Sequence, residues 1–317
     1  CALPIFTQRF LLPPEIVEAH EKGIIHFHDS DYFAQHMHNC CLVNLEDMLQ
    51  NGTVIGETMI EKPHSFLTAC NIATQAIAQI ASCQYGGQSI TMSHLAPFVQ
   101  ISREKFQREV RREMETTGVQ VSDEIINEIA ELRVKREIKQ GVQTIQYQVI
   151  TLMTTNGQAP FITMFMYLNE VPEGRLRDDL ALIIEEMLNQ RIQGVKNEQG
   201  VYITPAFPKL IYVLEEDNVS EGSKYWYLTK LAAECTAKRM VPDYISEKIM
   251  KQLKDGNCYT CMGCRSFLTV YKDENDQYKF YGRFNQGVVT LNLVDVACSS
   301  GKDMKEFWRI LDERLAL

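Results

Sequence analysis

Apolar residues recur at helical spacing most clearly in FLTACNIATQAIAQIA, where Phe66, Cys70, Ala73, Ile77 and Ile80 share one face. Pro63 and Ser65 precede this run and Gly86-Gly87 follow it, so the pattern predicts a helix that closes at the glycine pair. Residues 103–116 and 123–140 read as charged helices. In the second, Ile125, Ile129 and Leu132 form a stripe, and Asp123 and Glu124 sit in the first turn, where the helix dipole favours them. Further helices are expected at 176–193, 223–239 and 303–314. Apolar runs of strand length lie at 41–45, 161–168, 209–214, 266–271, 278–284 and 288–293. Most are apolar on both faces, as in strands covered by helices. Strands alternating with long helices predict an α/β fold, an open sheet or a barrel, and periodicity alone does not choose between them.

Composition narrows the class without naming it. Of 317 residues, 45% are hydrophobic and 23% charged, with a net charge of −9. That is ordinary for a globular chain with a substantial core. No run approaches the roughly 20 apolar residues of a membrane span. The acidic balance argues against direct nucleic-acid binding, which needs clustered Lys and Arg, but leaves room for a local pocket taking a phosphorylated ligand. No repeat, low-complexity tract or flexible linker marks a domain boundary. Cys1 stands where a chain would start with Met, and FWRILDERLAL ends on a helical pattern, so a piece of a longer polypeptide is expected.

The ten cysteines, at 1, 40, 41, 70, 83, 235, 258, 261, 264 and 298, are too unevenly spaced for a disulfide framework. They point to a reducing, cytoplasmic setting. Four segments could carry chemistry. Residues 20–41 gather His26, His28, Asp29, Asp31, His36, His38, Cys40 and Cys41. His26 and His28 share a face if the segment is a strand, which suits either a metal or a hydrogen-bonded strand end. CYTCMGC (258–264) overlaps two C-x-x-C pairs, readable as metal ligands, a dithiol or packed small hydrophobes. Gly263 allows a tight bend that would present Cys264 at a loop tip. In GRFNQGVVTLNL (282–293), Asn285 can both donate and accept hydrogen bonds. Finally, SCQYGGQS (82–89) and TPAFPKLIYVL (204–214) could cradle phosphate, although neither has P-loop spacing.

Taken together and in order, GIIHFHDSDYF, HNCCLVNLEDMLQNG, SCQYGG, TNGQAPFITMF, PAFPKLIYVLEE, MGCRSFL and GRFNQGVVTLNL resemble the catalytic subunit of anaerobic (class III) ribonucleotide reductase, a glycyl-radical enzyme. The resemblance covers nearly the whole chain. It implies part of a ten-stranded α/β barrel with flanking helices, built around an inward finger loop. It also implies reduction of ribonucleoside triphosphates to 2′-deoxyribonucleoside triphosphates. By this resemblance Cys264 becomes the thiyl radical that takes the ribose 3′ hydrogen. Cys40 supplies a hydrogen atom as the 2′ hydroxyl leaves, with Cys41 the alternate donor, and Asn285 holds the hydroxyls. His28, Asn39 and Arg283 are candidate substrate contacts. Gln84, Arg103 and Arg111 are candidate effector contacts, the two arginines on helices that could instead be solvated faces.

The family's partners follow by the same resemblance. They are formate as co-substrate, dNTP and ATP effectors, a radical-SAM activating enzyme and a second copy in a homodimer. No metal site is expected within this chain. The family's N-terminal ATP cone, its glycyl-radical segment and its C-terminal zinc site have no counterpart in residues 1–317. The chain is therefore expected to be a partial catalytic barrel, inactive until the missing C-terminus is restored. Two other readings remain: a formate-lyase-like glycyl-radical enzyme, whose finger loop typically carries adjacent cysteines, and a zinc-binding regulatory module built on CYTCMGC.

Overall fold

Ser65 starts the helix expected after it: its Oγ accepts from the Thr68 N–H, and α1 runs Phe66–Ala81. The helix stops five residues before the glycine pair. Residues 83–86 instead turn and run beside residues 38–40, as described below. The structure is a computed structural model that describes residues 2–35, 37–153, 159–263 and 265–317.

The two charged helices are longer than their charge pattern suggests. The first, α2, begins at Pro97, includes the buried Phe98 and Val99, and ends at Thr117 before a left-handed Gly118. The second, α3, is capped by Ser122 and extends from Asp123 to Thr151, its last turns burying Val142, Ile145 and Val149. Helices α4 (Arg175–Gln193) and α5 (Trp226–Arg239) fall close to the expected places.

The chain divides into two compact units. The larger holds residues 41–82 and 87–283 and is built on a six-stranded sheet. Its strands are β1 (Cys41–Leu42), β2 (Gln88–Thr91), β3 (Ile162–Met166), β4 (Lys209–Leu214), β5 (Asp243–Ser246) and β6 (Arg283–Phe284), in spatial order β5-β4-β3-β2-β1-β6. The first five are parallel. Sequential parallel neighbours with helical crossovers give the α/β arrangement of a barrel wall. Ile90, Ile162, Met164, Leu210 and Tyr212 bury one face of the sheet in a core shared with α1, α3, α4 and α5. Each such side chain contributes roughly 1.5–3 kcal/mol by leaving water. The other face carries Phe165, Tyr167, Ile211 and Val213 and packs on Met250, Cys258 and Cys261.

Three expected strands differ. Residues 266–271 are largely exposed and form no strand, and 278–284 contributes only β6. The 266–271 segment makes only isolated pairings among the described residues, such as Ser266 with Met262 and the Tyr271 carbonyl with the Lys279 N–H. Val289–Leu291 does form, but pairs antiparallel with Ile25–Phe27 in the smaller unit, which holds residues 2–40, 83–86 and 284–317. Conversely β2 (QSIT) and β5 (DYIS) have too few apolar residues to stand out in the sequence.

Candidate active site

In the smaller unit, residues 38–40 lie between two other segments. On one side the Tyr85 N–H donates to the His38 carbonyl at 3.2 Å and the Gly86 N–H to the Asn39 carbonyl at 2.8 Å. On the other, the Asn39 N–H donates to the Asn285 carbonyl at 3.0 Å, and the Asn285 N–H to the Cys40 carbonyl at 3.0 Å. The Asn285 side chain completes the lock, its Oδ1 accepting from the Cys40 N–H at 2.8 Å across 245 positions of sequence. A backbone N–H can only donate, so this contact fixes which end of the amide is oxygen. Among the described residues the NH2 group makes one long contact, 3.5 Å to the Gly287 carbonyl. The half-buried Cys40 thiol donates to Asn39 Oδ1 at 3.4 Å. Gln84 also belongs here: its Oε1 lies 3.1 Å from His38 Nε2 and its Nε2 donates to the Gly86 carbonyl at 3.0 Å.

In the larger unit, hydroxyls on the strands hold the loop that leads to Cys264. Ser89 Oγ donates to the Cys261 carbonyl at 2.7 Å and Thr163 Oγ1 to the Gly263 carbonyl at 2.8 Å. Gly87 leaves the space this requires, because a Cβ there would sit 2.2 Å from the Phe161 ring and 3.0 Å from Gly263 Cα. Cys264 itself lies outside the described residues, as do His36 and residues 154–158, which include the TNGQ of the TNGQAP segment.

Other expected residues divide by what surrounds them. Cys41 is 8% exposed and packs in the apolar core of the larger unit. Cys258 and Cys261 are buried in the apolar cluster under the sheet, where burial pushes the Cys258 thiol up to about 12. A thiol so reluctant to ionise suits packing better than metal binding. Among the described residues no three His, Cys, Asp or Glu side chains gather as a metal site. His26 and His28 do meet, edge to face with ring centroids 4.3 Å apart, and His28 Nε2 lies 2.7 Å from Thr290 Oγ1. His28 also lines a cavity of about 210 Å³ with Tyr32, Tyr85 and Gly287. Arg283 donates to the Thr269 carbonyl at 2.8 Å and lies over the Tyr271 ring, so it holds a loop.

The effector candidates lie in three different settings. Arg103 is 5% exposed and donates to both carboxylate oxygens of Asp179 and to Glu131. Its donors are engaged inside the helical layer and are not presented to phosphate. Gln84 belongs to the Cys40 neighbourhood within the smaller unit. Arg111 does reach a surface, pairing with Asp123 at 2.8 Å beside the α2–α3 turn. The 204–208 segment is likewise structural, since Arg191 donates to the carbonyls of Pro205 and Pro208.

One cluster had no signal in the apolar pattern. Just past the carboxyl ends of β2 and β3, the half-buried Glu170 accepts from Thr91, Ser93 and Tyr281. Burial raises its pKa despite those three donors. It borders a cavity of about 580 Å³ with His94, which burial lowers to about 4. Hydroxyl and carboxyl side chains directly after parallel strands were the available clue, because strand ends are where such sheets open.

The comparisons with known proteins agree with this architecture. The family profile described as anaerobic ribonucleoside-triphosphate reductase matches residues 4–317. The Escherichia coli (strain K12) protein of that name is 38% identical over 98% of this chain, which spans 42% of the relative. The Enterobacteria phage T4 protein is 37% identical over 97% of the chain, with 49% of the relative covered. Among solved structures, the Thermotoga maritima anaerobic ribonucleotide reductase in complex with dATP and CTP matches 95% of the chain. It is 17% identical, with a TM-score of 0.61, and 47% of it is covered. A second anaerobic ribonucleotide reductase gives a TM-score of 0.64 at 16% identity, over 95% of this chain and 44% of that one. The chain therefore spans less than half the length of these relatives, and it belongs to the anaerobic ribonucleoside-triphosphate reductase family.

Proposed function

We propose that this chain forms the thiol-bearing part of the catalytic barrel of an anaerobic ribonucleotide reductase, acting on ribonucleoside triphosphates. The observation that carries the proposal is the reciprocal bonding of Cys40 and Asn285, two residues distant in sequence that the family resemblance assigns to one ribose. With its amide oxygen spent on the Cys40 N–H, Asn285 offers its NH2 group to a ribose hydroxyl. The Cys40 sulfur beside it lies 3.4 Å from Asn39 Oδ1, an acceptor placed to hold the S–H form that a hydrogen-atom donor needs. Cys264 is assigned removal of the 3′ hydrogen, which it returns at the end. Cys40 is assigned delivery of a hydrogen atom as the 2′ hydroxyl leaves as water. Formate would balance the reaction, giving up two electrons and leaving as carbon dioxide. A glycyl radical, supplied by the family's catalytic subunit beyond the matched region, would provide the oxidising equivalent that makes the thiyl.

The same reading brings deoxynucleotide or ATP effectors, a radical-SAM activating enzyme, a second copy and a zinc site in the full-length enzyme. One related structure is described with dATP in a specificity site. Of the arginines named above, only Arg111 remains a candidate for such a contact.

The test uses a reductase of full family length carrying this sequence, activated anaerobically with its radical-SAM enzyme and S-adenosylmethionine. Cys264→Ala should abolish deoxynucleotide formation while folding and nucleotide binding persist. Turnover by that variant would refute the assignment.

A further inference from the structure

We propose that Gly86 is a positioning residue for the Cys40 thiol, needed because it has no side chain. This rests on the role given to Cys40 above. A Cβ built on Gly86 would lie 2.1 Å from Asn39 Oδ1, 2.4 Å from the Asn39 carbonyl oxygen and 2.6 Å from Cys40 Sγ. No left-handed φ accompanies this glycine, so an alanine there meets a problem of space and not of backbone conformation. The three atoms differ in their freedom to yield. The Asn39 carbonyl is held by the Gly86 N–H itself at 2.8 Å, and the next residue's backbone is clamped by Asn285. Gln84 fastens the same stretch by bridging His38 and the Gly86 carbonyl. The sulfur, on a single rotatable bond, and the Asn39 amide are the groups that can move. To regain van der Waals separation the sulfur must shift by about 1 Å. Reacting groups misplaced by that much lose on the order of 100-fold in rate.

The experiment compares wild type, Gly86→Ala, Cys40→Ala and Gly86→Ala/Cys40→Ala in the full-length activated reductase. Gly86→Ala should lower kcat for nucleotide reduction by about 100-fold with KM changed less than about twofold. Alkylation of Cys40 by iodoacetamide, read by peptide mass spectrometry, should change in rate at least about fivefold while Cys258 stays protected. These fold-changes are order-of-magnitude expectations for a shift of this size. Should Gly86→Ala be too unstable to assay, thermal midpoints decide. The drop it causes should shrink when Cys40 is already alanine, because the colliding sulfur is gone. Wild-type kcat in Gly86→Ala while Cys40→Ala is dead, or equal midpoint drops in both backgrounds, would overturn the proposal. Full reduction by Cys40→Ala would instead overturn the assignment of Cys40 as donor.

Discussion

Replacing Arg103 by alanine tests whether this residue is architecture or effector contact. The guanidinium joins three helices: its fork meets both oxygens of Asp179 on α4, and its Nε meets Glu131 on α3. Burial works against the charged guanidinium, yet Asp179 and Glu131 more than offset it and hold the proton in place. Asp179 is 1% exposed, so Arg103→Ala would leave a carboxylate in the core without its two best donors. Removing one member of such a pair costs about 3–5 kcal/mol. Arg175, whose Nε lies 3.5 Å from Asp179, offers partial compensation and places the expectation near 3 kcal/mol. The assay is denaturant unfolding of wild type, Arg103→Ala, Asp179→Ala and the double variant. The double variant should lose clearly less than the sum of the singles, because no lone charge remains. A cost below about 1 kcal/mol for Arg103→Ala, or additivity within about 0.5 kcal/mol, would refute the buried-pair argument. If deoxynucleotide affinity fell while stability held, Arg103 would be an effector contact after all.

Three further outcomes follow from particular contacts. Gly141→Ala on α3 gains helix propensity, but its Cβ would lie 2.6 Å from the Phe66 ring and 2.9 Å from Cys70 Sγ. A net destabilisation of about 1–2 kcal/mol is expected, and a stabilised variant would contradict the close α1–α3 packing. His94 takes a proton near 6.5 when unfolded and near 4 when folded. Its contribution to stability is thus complete above pH 6.5 and declines, by up to about 3 kcal/mol, as pH falls to 4. Unfolding measured at pH 7 and 5 should show a shallower loss in His94→Gln, and an unchanged slope would count against the burial of a neutral imidazole. Cys41→Ala should cost about 1 kcal/mol of stability and leave reduction within about twofold in the activated full-length enzyme. Loss of turnover would reinstate Cys41 as the donor.

Local grammar was readable in advance. Ser65 and the Asp123-Glu124 pair mark two helix starts, the apolar spacing gives the face of α1, and KLIYVL is a strand along its whole length. These features depend on neighbours within a few positions, so letters suffice. The motif order also carried the family, which the profile and relatives bear out. What letters could not supply is partnership. The apolar run 266–271 looks like a strand but makes only isolated pairings among the described residues, whereas the polar QSIT lies at the middle of a buried sheet. Its Ser89 and Thr91 hydroxyls are tolerated there because a distant loop carbonyl and Glu170 receive them.

The amino-acid sequence by itself determined the α/β class, most helices and the names of Cys40, Asn285 and Cys264 as candidates. Only the tertiary structure decided that Cys40 and Asn285 are hydrogen-bonded and that Cys41 packs in the core. It alone turned Arg103 inward to Asp179 and set Gly86 against a thiol. Each of those is a contact between parts of the chain far apart in sequence. Whether a cysteine, an arginine or a glycine acts or merely packs is settled by what the fold brings against it.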